Sequence, residues 1–280
     1  MRRLFFILIL LMTGAACGMA GEDSPAIVNL KDGRAFRVFL MSTDGNLIST
    51  EMQKLRTNKE FETEEVLNLE FTPVGMNENE RKAFIEGHAE LFEQADYETV
   101  ITKGQPVMEP YGEYMRITNN LQETYGLLMQ AYSRTGNHAQ AAEIAADLMD
   151  TKDKSLKQKA VVCAVLAAAD RKDFDKAQEF LTQIENPAAV LYVRAALERA
   201  KGDPVEALRT SAKVVANHGD KLEWLAPVEF LCAELYLESG RTNSALATAR
   251  QTAKLYDGTY IGNEADALHS RLEQLMQTSE

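Results

Sequence analysis

The sequence predicts a mainly α fold, an α-solenoid of antiparallel helix pairs, preceded by a small all-β, barrel-like module. Three observations predict it. From about residue 78 to the C-terminus, apolar residues recur three and four apart, the spacing of one helix face. Between those helical stretches a Gly- or Asp-containing turn returns several times. Residues 26–72 instead carry short, partly alternating apolar runs separated by Asp-Gly steps, a hairpin signal.

Taken in order, the chain begins with Arg2 and Arg3, an unbroken apolar run from Leu4 to Met12, and then Thr13, Gly14, Ala15 and Ala16. A positive start, an apolar stretch and small residues form the pattern of an export leader over residues 1–20. The run falls short of the roughly 20 apolar residues a membrane-spanning helix needs, so no transmembrane helix is expected after processing. Two processing outcomes are open. Gly18-Met19-Ala20 can serve as an ordinary cleavage site before Gly21. Alternatively, Ala15-Ala16-Cys17-Gly18 resembles a bacterial lipoprotein box, which would make Cys17 a lipidated first residue. Gly14 stands where that box carries Leu.

In residues 26–72, Val28, Leu30, Phe36, Val38, Leu40, Leu47 and Ile48 are broken by Lys31-Asp32-Gly33-Arg34 and Thr43-Asp44-Gly45-Asn46. Val66, Leu67, Leu69 and Phe71 read as a closing strand, giving four or five strands in a small barrel or curled sheet. Through the two Asp-Gly turns the segment resembles SH3-like or Sm-like barrels. An Sm reading would make Asn46 an RNA contact, but turn chemistry explains these residues without it. Thr72-Pro73-Val74-Gly75 then ends the strand pattern, and residues 78–280 are helical in period.

Five inter-helix turns align: Ala95-Asp96-Tyr97, Gly136-Asn137-His138, Lys172-Asp173-Phe174, Gly202-Asp203-Pro204 and Gly240-Arg241-Thr242. Three positions after each stand Val100, Ala141, Ala177, Ala207 and Ala245; four further on stand Gly104, Ala145, Leu181, Ser211 and Ala249. Small residues at such sites let two backbones approach closely. A unit of this length cannot bury both faces of its helices alone, so neighbours must stack. Gly104 to Gly112, with Pro106 and Pro110, reads as a loop or irregular helix. A last helix from Asn263 to Met276 has no successor and is expected to shield the end of the stack.

This pattern resembles the tetratricopeptide-repeat family, most closely through Tyr125, Leu128, Tyr132, Gly136, Ala141, Ala145 and Leu148, then Ala233, Tyr236, Gly240, Ala245 and Ala249. The resemblance covers roughly residues 80–256. It implies a concave face lined by the first helix of each pair, which binds a peptide or protein surface. Carried onto the matching positions, that face comprises Gln130, Arg134, Leu166, Tyr192, Arg199, Phe230 and Glu234. The Lys and Asn side chains with which some family members grip a terminal carboxylate are absent from these positions, so no such clamp is expected.

Composition narrows the function classes. A formal net charge of −12 disfavours binding nucleic acid, which needs a basic stripe over the phosphates. Removing the two leader arginines takes −12 to −14. Cys163 and Cys232 lie in apolar helical patterns and read as buried thiols, and there is no Cys-x-x-Cys pair. His88, His138, His218 and His269 are isolated, so no metal is inferred. Glu60, Glu62, Glu64 and Glu65 cluster without apolar neighbours that would separate their pKa values, and read as a solvated face. Neither a phosphate loop nor a nucleophile motif occurs. The expectation is therefore a non-catalytic scaffold without cofactor, in the periplasm or outer cell envelope, with a lipid anchor if Cys17 is processed. Self-association into a structural assembly, and ligand (carbohydrate) binding or catalysis at an unrecognised site, are the competing readings.

Overall fold

Alternation along short apolar runs produces the first module. The computed structural model describes residues 24–73, 76–94 and 96–277, with the backbone alone at residue 223. The leader, Cys17, the Val74-Gly75 part of the boundary and Ala95 lie outside the described residues. Five strands form one antiparallel sheet: β1 (Pro25–Leu30), β2 (Ala35–Thr43), β3 (Leu47–Met52), β4 (Asn58–Glu62) and β5 (Val66–Phe71). The spatial order is β4-β3-β2-β1-β5. No ladder joins β4 to β5 among the described residues, so the sheet has two edges. Every second residue of β1 is buried (Ala26, Val28, Leu30), meeting Val38, Leu40, Ile48, Phe61 and Leu69. Gly33 and Gly45 take positive φ at the two Asp-Gly turns, as such turns demand. The Asp44 carboxylate accepts from the amides of Asn46 and Leu47, both at 2.8 Å, closing the second turn. The acidic cluster Glu60, Glu62, Glu64 and Glu65 is exposed.

The rest of the described chain is helical: α1 (Glu78–Glu93), α2 (Tyr97–Met108), a 3₁₀ turn (Glu109–Tyr114), α3 (Gln122–Arg134), α4 (His138–Leu148), α5 (Lys154–Asp170), α6 (Phe174–Leu181), α7 (Pro187–Ala200), α8 (Pro204–Asn217), α9 (Leu222–Glu238), α10 (Thr242–Leu255) and α11 (Tyr260–Gln277). Their starts follow from local chemistry. Asn77 and Glu80 form a reciprocal capping box on α1, and Asp96, Asp153, Asp173, Asn186 and Asp203 each accept from an amide of the helix they precede. Asn137 stands at the start of α4 without a capping bond from its side chain. The first residues of four aligned turns share one backbone state: Gly136 (φ 77°), Lys172 (57°), Gly202 (85°) and Gly240 (72°). Each helix packs on its chain neighbours, and the odd-numbered helices also touch one another in series, α1 to α3, α3 to α5, α5 to α7, α7 to α9 and α9 to α11. All ten positions read as sites of close approach are buried, with Ala141, Ala177, Ala207 and Ala245 fully so.

Of the two readings of Gly104–Gly112, the irregular helix is the one observed: α2 runs through Pro106 to Met108, and the chain then tightens into the 3₁₀ turn. A proline in the last turn of a helix removes one donor, and Pro110 in the first turn of the next element removes a donor that has no partner there anyway. α11 begins at Tyr260 rather than Asn263 and does more than cover an end, as described below.

Sheet and helices share one hydrophobic core. Phe71 at the end of β5 stacks on Tyr111 at 4.6 Å between ring centres and meets Tyr114 edge-on at 6.3 Å. The same buried cluster continues through Met115, Leu121 and Tyr125 to Leu148 and Leu156. The outer edge of β5 is occupied by residues 118–120. The Leu69 amide donates to the Thr118 carbonyl at 2.9 Å, and the Asn120 side chain bonds both the amide (2.8 Å) and the carbonyl (3.1 Å) of Phe71.

Two outcomes follow. Phe71→Ala empties the centre of the shared core and should cost about 3–5 kcal/mol. Urea unfolding followed separately by sheet and helix signals should show both shifting together. Lys172→Gly relieves a left-handed backbone at a non-glycine residue and should raise stability by roughly 0.5–1 kcal/mol in the same assay. No change at residue 172 would argue against the equivalence of the four turns.

Candidate binding cavity

Helices that touch in series through one face leave the next face of each pointing at a common space. The faces of α3, α5, α7 and α9, joined by α11 from Tyr260 to Arg271 and by the end of α1, line a half-open cavity of about 1220 Å³. Gln130 and Arg134 reach it from α3, Leu166 from α5, Tyr192 and Arg199 from α7, and Phe230 and Glu234 from α9. The structure thus brings all seven residues of the expected concave face to one space.

Two ion-pair groups cross it. Arg199 donates to Glu234 at 2.8 Å through Nη1 and to Glu238 at 2.8 Å through Nε, with a second contact to Glu238 at 2.5 Å through Nη2. Burial opposes the Arg199 charge, but the two carboxylates outweigh it and hold the guanidinium above its ordinary pKa. Arg134 faces Glu264 of α11 at 3.5 Å, donates to the Tyr260 hydroxyl at 3.3 Å, and lies 5.0 Å over the Tyr260 ring. Burial opposes this charge too. Glu264 and the tyrosines Tyr260, Tyr192 and Tyr97 overcome it and raise the Arg134 pKa. Burial raises the Glu264 carboxyl above its usual range, an effect that Arg134 offsets in part and Glu234 reinforces. Burial also pushes the Tyr192 phenol up to about 12. Aromatic and aliphatic side chains fill much of the surface between them. Tyr192 lies 6.1 Å from Trp224, the single tryptophan of the chain, and Phe92 and Tyr260 meet at 5.1 Å.

The charged groups lining the cavity are the cations Arg134, Lys159, Arg199 and Arg271 and the carboxylates Glu93, Asp170, Glu234, Glu238 and Glu264, with His138 beside them. Four against five leaves the space nearly balanced although the whole chain carries −12. Such a lining suits a neutral or zwitterionic occupant better than a polyanion. No group of three or more His, Cys, Asp or Glu side chains among the described residues is placed to hold a metal ion. Cys163 and Cys232 are free thiols.

Sequence reasoning missed Trp224, Tyr260 and Glu264. Arg134 and Glu264 lie 130 residues apart, and no local spacing links them. Trp224 sits in the first turn of α9, outside the repeat positions that were aligned. The one available signal was the spacing of four between Tyr260 and Glu264, which went unused because the last helix was read from Asn263.

Comparison with protein-family models, with curated proteins and with solved structures returned no match for this chain.

The Glu264 shift has a definite sign. A carboxyl raised in the folded state binds its proton more tightly there than in the unfolded chain, so this group favours folding increasingly as pH falls from its raised native value to the ordinary 4.5. Relative to Glu264→Gln, the unaltered protein should therefore gain stability as urea midpoints are taken from pH 7 down to pH 4.5. The opposite trend would mean that the ion pair with Arg134 outweighs burial.

Proposed function

We propose that the chain is an exported, non-catalytic interaction protein of a bacterial cell envelope. In this reading a solenoid of tetratricopeptide-like helix pairs holds a short segment of another protein on its inner face. The observation that carries it is the convergence of Gln130, Arg134, Leu166, Tyr192, Arg199, Phe230 and Glu234 on a single cavity. A volume of about 1220 Å³ sits just above the usual range of roughly 300–1,000 Å³ for small-molecule pockets. That size suits an extended peptide of a few residues. Aromatic side chains flanked by pre-formed ion pairs are also the groups that concentrate binding energy in interfaces. Export rests on the Arg2-Arg3 start, the Leu4–Met12 run and the small residues after it. Lipid anchorage rests on Cys17, and ordinary cleavage on Gly18-Met19-Ala20. No helix among the described residues is long and apolar enough to cross a membrane.

A second reading has one specific observation in its favour. α11 covers part of the inner face, and the half-open space mixes aromatic faces with carboxylates and guanidinium groups. Saccharide recognition uses the same mixture, stacking on rings and bonding hydroxyls to charged groups.

The mature protein, screened against a peptide array and an oligosaccharide array, separates the two. The peptide reading expects peptide hits whose affinity falls at least about tenfold in Tyr192→Ala and in Phe230→Ala, with helix content unchanged. Saccharide hits with the same dependence would replace it. Hits indifferent to both substitutions would place binding elsewhere on the molecule. Mass spectrometry of the natural N-terminus reads the leader: a diacylglyceryl Cys17 or a free Gly21 decides between the two processing outcomes, and an intact Met1 sinks the export proposal.

A further inference from the structure

One side of the half-open cavity is formed by a contact between the two ends of the helical array. α11 belongs firmly to its own end. Leu268 and Leu272 are buried in one cluster with Ala233, Ala245 and Ala249 of α9 and α10, and Ala265 is buried beside them on the same helix. A side chain at Gly262 would strike the carbonyl of Tyr256, so the first turn of α11 is seated directly on the turn that precedes it. Toward the other end its contacts are of a different kind. The Asn263 side chain donates to the Glu93 carbonyl at 3.0 Å, the Tyr260 ring meets Phe92 at 5.1 Å, and Glu264 faces Arg134 at 3.5 Å. These contacts come from one helical turn, with Asn263 exposed and Arg134 and Glu264 keeping 22% and 18% of their side-chain surface.

We infer that this turn of α11 is a releasable clasp that controls entry to the cavity, opening when the array uncurls and α11 moves away with α10. The inference rests on the cavity being the binding site, since a clasp over an unused space would regulate nothing. The physical ground is asymmetry. One side of α11 is fixed by buried aliphatic packing, which separates only at large cost. The other side has no fully buried α11 side chain: Tyr260 is half-buried against the cluster of Phe92, Tyr97, Val100 and Ala131, Asn263 bonds the Glu93 carbonyl, and Arg134 meets Glu264 and the Tyr260 hydroxyl and ring, contacts that are individually weak and reform readily. A helix bound firmly on one side and lightly on the other gives two arrangements of the same packed units rather than a local unfolding. An occupant too bulky for the present opening binds only the wider arrangement. Its apparent affinity is then reduced by the fraction of molecules that are open.

The test uses the full mature chain, spin-labelled at Glu90→Cys on α1 and Asp266→Cys on α11 in a Cys163→Ala, Cys232→Ser background, with pulsed dipolar distances measured without any ligand. Tyr260→Ala with Asn263→Ala should lengthen and broaden the distance while helix content stays constant. Quenching of Trp224 by acrylamide should rise by about twofold as the cavity opens. As a second variant, Glu264→Lys sets two cations face to face and should open the clasp, and adding Arg134→Glu should restore the short distance. Unchanged distances in both variants overturn the inference. So does a cooperative loss of helix in both, which would make the contact part of the core. Peptides found on the array should bind the opened variants up to about tenfold more tightly. If no peptide binds any form while the distances still respond, the clasp stands as a structural device and the binding reading fails.

Discussion

Everything in this structure depends on close backbone approach at a few small residues. Ala141, Ala145, Ala177, Ala207, Ala245 and Ala249 expose nothing to solvent, and each sits where the second helix of a pair meets its neighbours. Bulkier side chains there would hold the helices apart and leave apolar surface wet. With small ones, the pairs seat closely, and because none can bury both faces alone, each must rest on the next. The odd-numbered helices then face inward together, so the cavity is a product of packing and not of any local motif. Four of the aligned turns share a left-handed first residue, so the chain passes from one helix to the next through the same backbone state.

Bending brings charges inward that a flat surface would leave in water. Arg199 with Glu234 and Glu238, and Arg134 with Glu264, are partly desolvated pairs joining residues far apart in the chain. Such pairs are weak evidence for stability, because the loss of hydration offsets much of the attraction. Their value here is geometric: each fixes which helix faces which, and each leaves a polar group at a defined point of an otherwise aromatic wall. The balance of four cations and five carboxylates inside contrasts with the acidic whole. The net negative charge is therefore carried mainly by the outer surface, where it favours solubility.

The fold was legible where local chemistry decides it. Alternation and the two Asp-Gly turns gave the sheet, and spacing of three and four gave the helices. Asp96, Asp173, Asn186 and Asp203, each accepting from an amide of the helix that follows, fix those helix starts by local chemistry. The inner-face positions could be read because repeat alignment converts sequence position into helix face. What escaped was of long range. Nothing near Phe71 indicates that its ring stacks on Tyr111, or that Asn120 holds both of its backbone groups, so sheet and helices read as separate modules although they share one core. The irregular look of Gly104–Gly112 came from two prolines whose positions within a turn make them harmless. The meeting of α11 with α1 and α3 depends on accumulated curvature over five helix pairs, a quantity that no single segment encodes.

The central claim is that helix pairs packed in series curl until the last helix reaches the first. Small-angle X-ray scattering of the mature protein tests it most directly. The account predicts a compact particle whose radius of gyration lies near the value for a globule of this length, about 18 Å by the size scaling of folded domains. A markedly elongated particle with an open, rod-like scattering profile would contradict it.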